Sequence, residues 1–232
     1  MKHARSTNGN PKCDAPEVKR IVIVDDHPLF RKGLEQLIQS EDGFAVCGEA
    51  NNAPEAMDVI RKLNPDLAIV DLSLPGANGI ELIKNIRAEF SKLPILVLSM
   101  HDESLYALRA LRAGAEGYVM KHEAMINVIQ AIREVFNGRP YLSPAMAAQV
   151  ITKFAHRQAE GEADAVERLS DRELEILELI GKGNDVRQIA KVLHLSPKTV
   201  ETHRSHIKDK LDLKNSREVA RFALQWLSAR NT

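Results

Sequence analysis

The sequence predicts an α/β domain with a doubly wound, five-stranded parallel sheet, followed by a second, smaller all-α domain. Short apolar runs alternate with amphipathic helical stretches up to about residue 137. These runs are almost continuously apolar, which is typical of parallel strands that are buried on both faces. Beyond residue 168, the apolar residues follow helical spacing.

Five apolar runs are predicted to be strands, and four amphipathic faces are predicted to pack helices against them. The predicted strands are Ile21–Val24, Phe44–Cys47, Leu67–Val70, Ile95–Leu98 and Gly117–Met120. The helical faces consist of Phe30, Leu34, Leu37 and Ile38; Ile80, Ile83, Ile86 and Phe90; Leu105, Leu108 and Leu111; and Ile126, Ile129, Ile132 and Phe136. This alternation favours a parallel sheet with helices on both faces.

A polar segment separates the two predicted domains. One further helix is expected over 144–156, and its apolar residues are Met146, Val150, Ile151 and Phe154. Residues 155–168 contain almost no large apolar side chain and are predicted to form a solvated, flexible linker.

Four helices are predicted after the linker. A capping box at Ser170 and Glu173 begins the first, which ends near Gly181. The others are a short helix carrying Ile189, Ala190 and Leu193, a helix that Ser196 caps with Pro197 in its first turn, and a helix over about 216–227.

Length and composition set limits on the class of protein. The 232 residues are 44% hydrophobic and 28% charged, which is the profile of a globular protein of one or two domains. No apolar run approaches the roughly 20 residues of a membrane-spanning helix, so no membrane association is expected. Cys13 and Cys47 lack metal-ligand spacing and suit a reducing cytoplasm. The predicted segments are a disordered leader (1–16), an α/β domain (17–139), a helix and linker (140–168) and a helical domain (169–232).

The distribution of charge favours a polyanionic partner for the C-terminal part. The net charge of the whole chain is zero, but residues 186–232 contain ten Lys and Arg against four Asp and Glu. A basic end on a neutral protein indicates a polyanion such as nucleic acid, although many solvated helical faces are also basic.

Five polar residues follow predicted strands of the sheet. Asp25 and Asp26 come after the first strand, Asp71 after the third, Ser99 after the fourth and Lys121 after the fifth. Because ligands of doubly wound sheets gather beyond the carboxyl ends of the strands, we expect these side chains to converge. Three neighbouring carboxylates repel one another and require a cation, and oxygen ligands of this kind suit Mg²⁺.

This set of residues has a chemical interpretation. A carboxylate attacks a phosphoryl group when a metal ion and an ammonium neutralise the phosphate oxygens. Asp71 is therefore predicted as the nucleophile, Asp25 and Asp26 as metal ligands, and Ser99 and Lys121 as phosphoryl-binding groups. Taken singly, each residue has an ordinary structural explanation as a helix cap or a solvated side chain. Their joint position at four strand ends favours the catalytic interpretation.

The helix that begins after Ser196 has an apolar face and a polar face. Val200, His203, Ile207 and Leu211 are predicted to pack inward, with His203 as a hydrogen-bonded core histidine. The polar face can meet phosphates and base edges in a major groove, although an ordinary solvated helix explains the charge equally well. Its predicted DNA-binding residues are Lys198, Thr199, Glu201, Thr202, Arg204, Ser205 and Lys208.

The segments IVIVDDHPLFRKGL, LAIVDLSLPGANGIEL, ILVLSM and GYVMK resemble the flavodoxin-like receiver domain of two-component response regulators. The resemblance implies phosphotransfer from a sensor histidine kinase to Asp71. It implies Mg²⁺ on Asp26, Asp71 and the Ser73 backbone carbonyl, with Asp25 binding mainly through water. It also implies a switch in which Ser99 turns toward the phosphoryl group and Tyr118 repacks inward. Many receivers have Pro after the Lys, whereas His122 follows Lys121 here.

The segment LSDRELEILELIGKGNDVRQIAKVLHLSPKTVETHRSHIKDKL resembles the LuxR-type helix-turn-helix, and both resemblances together indicate the NarL/FixJ family. They imply a transcription regulator, not an enzyme, in which the helix from Ser196 to Leu211 recognises double-stranded DNA. They also imply a homodimer on activation, with Val219, Phe222 and Trp226 of the last helix as dimer contacts. In many relatives the unphosphorylated receiver covers the recognition helix. Some relatives have Lys at the position of Glu201, so base preference is not transferred.

Two alternatives belong to other functional classes. An aspartate-nucleophile phosphohydrolase also places carboxylates at strand ends. Such enzymes have an Asp-x-Asp pair after one strand, whereas Asp25 and Asp26 are adjacent here. The second alternative is a phosphorylation-independent DNA-binding regulator that uses the receiver only for dimerisation. The presence of Asp71, Ser99 and Lys121 argues against it.

Overall fold

A computed structural model describes residues 18–155 and 165–229 of the chain. The predicted leader and residues 156–164 of the predicted linker lie outside the described residues. The described part forms an N-terminal α/β domain and a C-terminal helical domain.

The N-terminal domain contains the predicted five-stranded parallel sheet. Its strands are β1 (Lys19–Val24), β2 (Phe44–Ala50), β3 (Leu67–Asp71), β6 (Ile95–Ser99) and β7 (Gly117–Met120), and their order is β2-β1-β3-β6-β7. All four pairings are parallel. A short antiparallel pair, β4 (Ser73–Leu74) and β5 (Ala77–Asn78), follows β3. The predicted fold class is confirmed.

Apolar cores cover both faces of this sheet, as the near-continuous apolar strands predict. Alternate residues of one strand point to opposite faces. In β1, Val22 and Val24 belong to one buried cluster, whereas Ile21 and Ile23 belong to the other. Burial on both faces therefore requires almost every strand position to be apolar.

The helices of this domain lie on both sides of the sheet. They are α1 (Pro28–Gln39), α2 (Ala53–Leu63), α3 (Gly79–Glu89), α4 (Glu103–Ala113), α5 (Ala124–Phe136) and α6 (Pro144–Ala155). The sequence identified no apolar face for α2, which buries small Ala56 together with Ile60. Asn52 caps this helix by accepting a hydrogen bond from the backbone of Glu55.

Two predicted helical faces differ from the structure. Ile126 is 84% exposed, because α5 packs on the sheet through smaller residues such as Ala124, Val128 and Ala131. In α4, the fully buried residues are Tyr106, Ala107 and Ala110, and the three predicted leucines are only partly buried. Periodicity alone misplaced these faces because small residues and tyrosine form the close contacts with neighbouring elements.

The C-terminal domain consists of α7 (Asp171–Gly181), α8 (Val186–Val192), α9 (Pro197–Lys210) and α10 (Ser216–Ser228). The predicted capping box is confirmed, since Ser170 and Glu173 each accept from the other's backbone amide. Gly181 allows α7 and α10 to approach closely, because an added Cβ would lie 2.7 Å from the Ala223 carbonyl oxygen.

The end of the predicted linker is ordered against the N-terminal domain. Residues 165–168 form a 3-10 turn in which Val166 is 4% exposed. Arg109 of α4 donates hydrogen bonds to the carbonyl oxygens of Val166 and Leu169. The prediction of a solvated linker is wrong for this part. The guanidinium of Arg109, in the N-terminal domain, binds backbone carbonyl groups here that were expected to be hydrated.

Candidate functional site

The carboxylates predicted to converge lie together at the carboxyl edge of the sheet. Val24 pairs with Val70, so Asp25 and Asp71 leave neighbouring strands at the same level. Asp25 is 2% exposed and Asp71 is 1% exposed. Ligand atoms of Asp25, Asp26, His27 and Asp71 all lie within 4.8 Å of one another. The parallel pairing of β1 with β3 therefore produces the predicted acidic cluster.

Lys121 supplies the positive charge of this cluster. Its Nζ lies 2.7 Å from Oδ2 of Asp25 and 2.7 Å from Oδ2 of Asp71. The lysine is 7% exposed, and its ammonium lies 4.7 Å from the centre of the Phe30 ring. A 3-10 turn over Lys121–Glu123 follows β7 and leads directly into α5. The absence of a proline after Lys121 is thus compatible with placing the ammonium between the two acids.

Burial raises the pKa of the Asp71 carboxyl, and the Lys121 ammonium opposes this effect. The negative charge of Asp25 also favours the protonated form, whereas a hydrogen bond from the Ser73 backbone amide favours the ionised form. That amide lies 3.1 Å from Oδ1 of Asp71. The carboxylate is therefore held by one donor on each oxygen in a largely dry environment.

The loop after β3 is shaped by a glycine. Gly79 lies against the carbonyl oxygen of Asp71 and the Cα of Leu72, where a Cβ atom has no room. Its amide donates to the Leu72 carbonyl oxygen at 2.9 Å. This close approach begins α3 next to Asp71 and folds the β4–β5 pair, with Ser73, over the edge of the acidic cluster.

Asp26 and His27 complete the rim of the cluster. Oδ1 of Asp26 is inaccessible to solvent and accepts no well-aligned hydrogen bond from residues 18–155 or 165–229, although Nδ1 of His27 lies 2.7 Å away. The His27 amide donates to Oδ1 of Asp25 at 2.8 Å. His27 was not among the predicted site residues, although its position directly after the two acids indicates a place at this edge of the sheet.

Ser99 and Tyr118 lie beside the acidic cluster, and both form hydrogen bonds with the backbone of His101, which was not among the predicted site residues. Leu98 pairs with Asp71, which places Ser99 one residue beyond the acid along the edge. The His101 amide donates to Oγ of Ser99 at 3.1 Å, and the Tyr118 hydroxyl donates to the His101 carbonyl oxygen at 2.8 Å. Tyr118 is 1% exposed, so it already points inward in this structure.

The outer face of α9 is accessible. Glu201, Thr202 and Ser205 are exposed along it, and Lys198 is exposed at its first turn. The remaining predicted DNA-binding residues, Thr199, Arg204 and Lys208, are partly buried. Val200 and Ile207 are fully buried on the opposite face, as predicted. The helix therefore presents a polar surface while its apolar face holds it in the domain.

His203 differs from its prediction as a hydrogen-bonded core histidine. Its Nδ1 is inaccessible to solvent and has no hydrogen-bond partner among the described residues. Burial lowers the pKa of this imidazole, although the nearby Glu173 carboxylate acts in the opposite direction. Glu173 is instead satisfied by Lys210, whose Nζ lies 2.7 Å from Oε2.

The predicted dimer contacts on α10 require one correction. Val219 is 1% exposed and belongs to the core of the C-terminal domain, so it is not available to a partner. Phe222 and Trp226 are partly buried against that core. Leu224, which the sequence analysis did not select, is 57% exposed. The helical periodicity indicated an apolar stripe, but the packing of α7 on α10 decides which part of it is covered.

The two domains contact each other through α7, and the outer face of α9 stays exposed. Glu178 of α7 accepts a hydrogen bond from the Tyr106 hydroxyl at 3.1 Å and lies 3.3 Å from Nδ1 of His101. Glu175 accepts from the side chain of Asn78 at 2.8 Å. The covering of the recognition helix implied by many relatives is therefore not the arrangement in this structure.

Burial opposes ionisation of Glu178, but hydrogen bonds from His101 and Lys182 outweigh it and lower the pKa of this carboxyl to about 2. Glu178 is 6% exposed. A buried negative charge at the domain interface is thus stabilised by donors from both domains.

Among residues 18–155 and 165–229, no helix has the length and apolar character required to cross a bilayer.

Comparisons with known proteins identify both domains. Residues 21–133 match the response regulator receiver domain, and residues 167–223 match the luxR family of bacterial regulatory proteins. The oxygen regulatory protein NreC of Staphylococcus carnosus (strain TM300) is 37% identical over 210 residues, which are 89% of this chain and 97% of NreC.

Solved structures of similar proteins include regulators bound to DNA. A two-component response regulator of the LuxR family from Aurantimonas sp. SI85-9A1 is 40% identical, with a TM-score of 0.56 over 60% of this chain and 99% of its own. RcsB from Salmonella enterica serovar Typhimurium, bound to promoter P1flhDC with the phosphomimetic BeF3−, is 27% identical, with a TM-score of 0.60 over 89% of this chain and 98% of its own. The chain therefore belongs to the two-component response regulators that join a receiver domain to a LuxR-type helix-turn-helix DNA-binding domain.

Proposed function

We propose that Asp71 accepts a phosphoryl group from a sensor histidine kinase and that this event controls dimerisation and sequence-specific binding to duplex DNA. The observation that carries the proposal is the buried cluster in which Lys121 bridges Asp25 and Asp71 at 2.7 Å. The family consists of DNA-binding transcription regulators, not enzymes, which removes the phosphohydrolase alternative. A duplex-DNA partner fits the cytoplasmic location predicted from the sequence.

The phosphoryl transfer uses groups that are already next to Asp71. A carboxylate oxygen of Asp71 attacks phosphorus while the bond between phosphorus and the donor histidine nitrogen breaks, and the donor, whose other ring nitrogen is protonated, leaves as neutral imidazole. Lys121, Ser99 and the Ser73 amide are the donors placed to bind the phosphoryl oxygens. Lys121 and the Ser73 amide already contact Asp71, so they stabilise the transferred charge without a large rearrangement of solvent, whereas Ser99 turns toward the phosphoryl group.

The acidic cluster fits a magnesium ion. Several carboxylate oxygens lie within 4.8 Å of one another, and buried Oδ1 of Asp26 lacks a well-aligned donor. We propose that Asp26, Asp71 and the Ser73 carbonyl bind Mg²⁺ directly, with Asp25 acting mainly through water. When bound, Mg²⁺ neutralises charge on the phosphoryl oxygens.

The outer face of α9 is the proposed DNA-binding surface. Lys198 and Lys208 are suited to phosphate contacts, and Thr202 and Ser205 to contacts with base edges. Arg204 donates to Glu201 at 3.0 Å, so Glu201 both orients the guanidinium and can accept from a cytosine amino group. A two-fold dimer then predicts inverted half-sites about one helical turn apart.

Dimerisation is proposed through the exposed part of α10. Phe222 and Trp226 remain candidates because they are partly accessible, and Leu224 joins them because it is 57% exposed. Val219 is withdrawn from this surface. Inverted DNA half-sites require that a two-fold contact through α10 place the two α9 helices on the same side of the dimer.

The decisive experiment is mass spectrometry after incubation with acetyl phosphate and Mg²⁺. The full chain should gain an adduct of about 80 Da on Asp71, the mass of a transferred phosphoryl group. Asp71→Asn should abolish it, whereas Asp58→Asn, which changes an acid whose side chain is 78% exposed, should not. DNA affinity is then compared with and without beryllofluoride.

The remaining alternative makes the opposite prediction. If the receiver serves only for dimerisation, neither the adduct nor beryllofluoride binding will be detected, and Asp71→Asn will bind DNA like the wild type. Equal DNA affinity with and without beryllofluoride would remove the proposed control by phosphorylation while leaving the chemistry at Asp71 intact.

A further inference from the structure

One residue of the receiver contacts both the phosphorylation site and the DNA-binding domain. The backbone of His101 donates to Ser99 Oγ at 3.1 Å and accepts from the Tyr118 hydroxyl at 2.8 Å. Its ring lies 3.1 Å from Ser73 Oγ through Nε2 and 3.3 Å from Glu178 Oε2 through Nδ1. His101 makes all these contacts from the short segment that joins β6 to α4.

We infer that His101 transmits the occupancy of Asp71 to the docking of the DNA-binding domain through Glu178. This inference rests on the proposed phosphorylation of Asp71. It names a coupling contact that is built into the present arrangement of the two domains and that does not involve the outer face of α9.

The carboxylate of Glu178 fixes the role of one ring atom. A carboxylate only accepts hydrogen bonds, so Nδ1 of His101 carries the proton that Glu178 accepts. Nε2 shares a hydrogen bond with the Ser73 hydroxyl at 3.1 Å, and the protonation of the ring sets which of the two atoms donates. The Tyr106 ring, whose centre lies 4.4 Å from that of His101, also donates to the same Glu178 oxygen through its hydroxyl. Glu178 is therefore held by two neighbouring receiver side chains.

Phosphorylation of Asp71 is incompatible with the present hydrogen bond between the His101 amide and Ser99. The hydroxyl of Ser99 that would bind the phosphoryl group is the one that now accepts from the His101 amide. When Ser99 turns toward Asp71, this amide loses its partner, and the segment that carries the imidazole must move to satisfy it. Movement of the imidazole takes a donor away from buried Glu178, and an under-paired buried carboxylate weakens the contact between α7 and the receiver.

The coupling must act equally in both directions. If a phosphoryl analogue at Asp71 lowers the equilibrium constant for docking of the DNA-binding domain by a given factor, docking lowers the affinity for that analogue by the same factor. A substitution in the DNA-binding domain that loosens docking should therefore raise the affinity of the receiver for a phosphoryl analogue. Glu178 belongs to the other domain and is not one of the acids of the cluster, but it lines the same cavity as Asp26 and Ser73. A double-mutant cycle with His101 is therefore needed to separate coupling through the imidazole from a direct effect of the Glu178 charge.

The test measures the dissociation constant of beryllofluoride with Mg²⁺ for the full chain by calorimetry. Glu178→Gln should lower this constant roughly tenfold (about 1.4 kcal/mol), because hydrogen bonds to a charged group contribute at least this much. Small-angle scattering of the same protein should show an increased radius of gyration. Glu218→Gln is the matched control, since this glutamate on α10 accepts from the Lys214 amide and lies in the same domain.

A double-mutant cycle tests the role of His101 itself. In a His101→Ala background, Glu178→Gln should change the dissociation constant less than twofold, because the ring that couples the two sites is already absent. An equal effect of Glu178→Gln in both backgrounds would show that coupling bypasses His101 and would overturn the inference.

The failures of the two proposals are distinguishable. If no variant, including the wild type, binds beryllofluoride, the proposed phosphorylation of Asp71 fails and this inference fails with it. If the wild type binds but Glu178→Gln has the same affinity or the same radius of gyration, only the coupling through Glu178 is overturned.

Discussion

Replacing Lys121 with methionine should strongly destabilise the receiver domain when no divalent cation is present. The Lys121 ammonium lies 2.7 Å from an oxygen of Asp25 and 2.7 Å from an oxygen of Asp71, and these acids are 2% and 1% exposed. At such distances, an effective dielectric constant of about 20 gives an attraction of about 6 kcal/mol for each pair. Removing the charges from water offsets much of this attraction. Losing one partner of a buried pair should then lower the free energy of unfolding by about 3–5 kcal/mol.

The measurement is the urea dependence of hydrogen exchange at the backbone amides of β3 and β6, which reports on the receiver separately from the helical domain. Lys84→Met is the matched control. Lys84 pairs with exposed Glu81 and, across the contact between the domains, with Asp171, and the Lys84 side chain is 48% exposed. The free energy of unfolding of this variant should change by less than about 1 kcal/mol.

Magnesium provides a second measurement on the same variant. Removal of Lys121 leaves Asp25 and Asp71 without their shared ammonium, so added Mg²⁺ should stabilise Lys121→Met more than the wild type. A loss in free energy no larger than that of Lys84→Met would refute the assignment of Lys121 as the counter-ion of the buried acids.

Three further predictions concern the DNA-binding domain. Val219→Ala should lower the free energy of unfolding by about 2 kcal/mol in urea titrations, whereas Leu224→Ala should leave it within about 0.5 kcal/mol and weaken the dimer in sedimentation experiments; the reverse pattern would restore Val219 as a dimer contact. Lys198→Ala should weaken binding to all DNA sequences and reduce the salt slope of the association constant by about 1, with Lys92→Ala in the receiver as an unaffected control. Burial lowers the pKa of His203 below its usual value of 6.5, so on acidification the unfolded chain takes up a proton before the folded chain does, and the free energy of unfolding falls as the pH drops through 6.5. His203→Gln should therefore reduce the decrease in urea midpoint between pH 7.5 and pH 5.5. An unchanged decrease would exclude His203 as its cause.

The fold and the acidic cluster were predictable because their signals are local. A parallel strand buried on both faces requires a continuous apolar run, which can be read from four or five residues. The point where each run stops fixes the edge of the sheet, so Asp25, Asp71, Ser99 and Lys121 were located without knowledge of their contacts. Helix caps such as Ser170 are equally local, because the side chain bonds to a backbone amide three residues away.

The misplaced helical faces show the limit of periodicity. Ile126 satisfies the spacing of the buried face of α5, but that helix packs through Ala124 and Val128 and leaves Ile126 at 84% exposure. Val219 satisfies the pattern of an apolar stripe on α10, yet it is covered by its own domain. Spacing identifies a set of apolar positions, whereas the rotation of each helix is set by the size of the side chains on its neighbours.

Short-range patterns of burial and hydrogen bonding were enough to predict the class of each domain, the family, and the residues at the strand ends. The packing of the folded chain was needed to show that His27 joins the acidic rim and that His101 lies between Ser99 and Glu178. It also showed that α7 forms the contact between the domains while the outer face of α9 stays exposed. Glu178 is 77 residues from His101 in the chain. Such contacts depend on how two separately folded surfaces fit each other, and no local pattern in either segment encodes that fit.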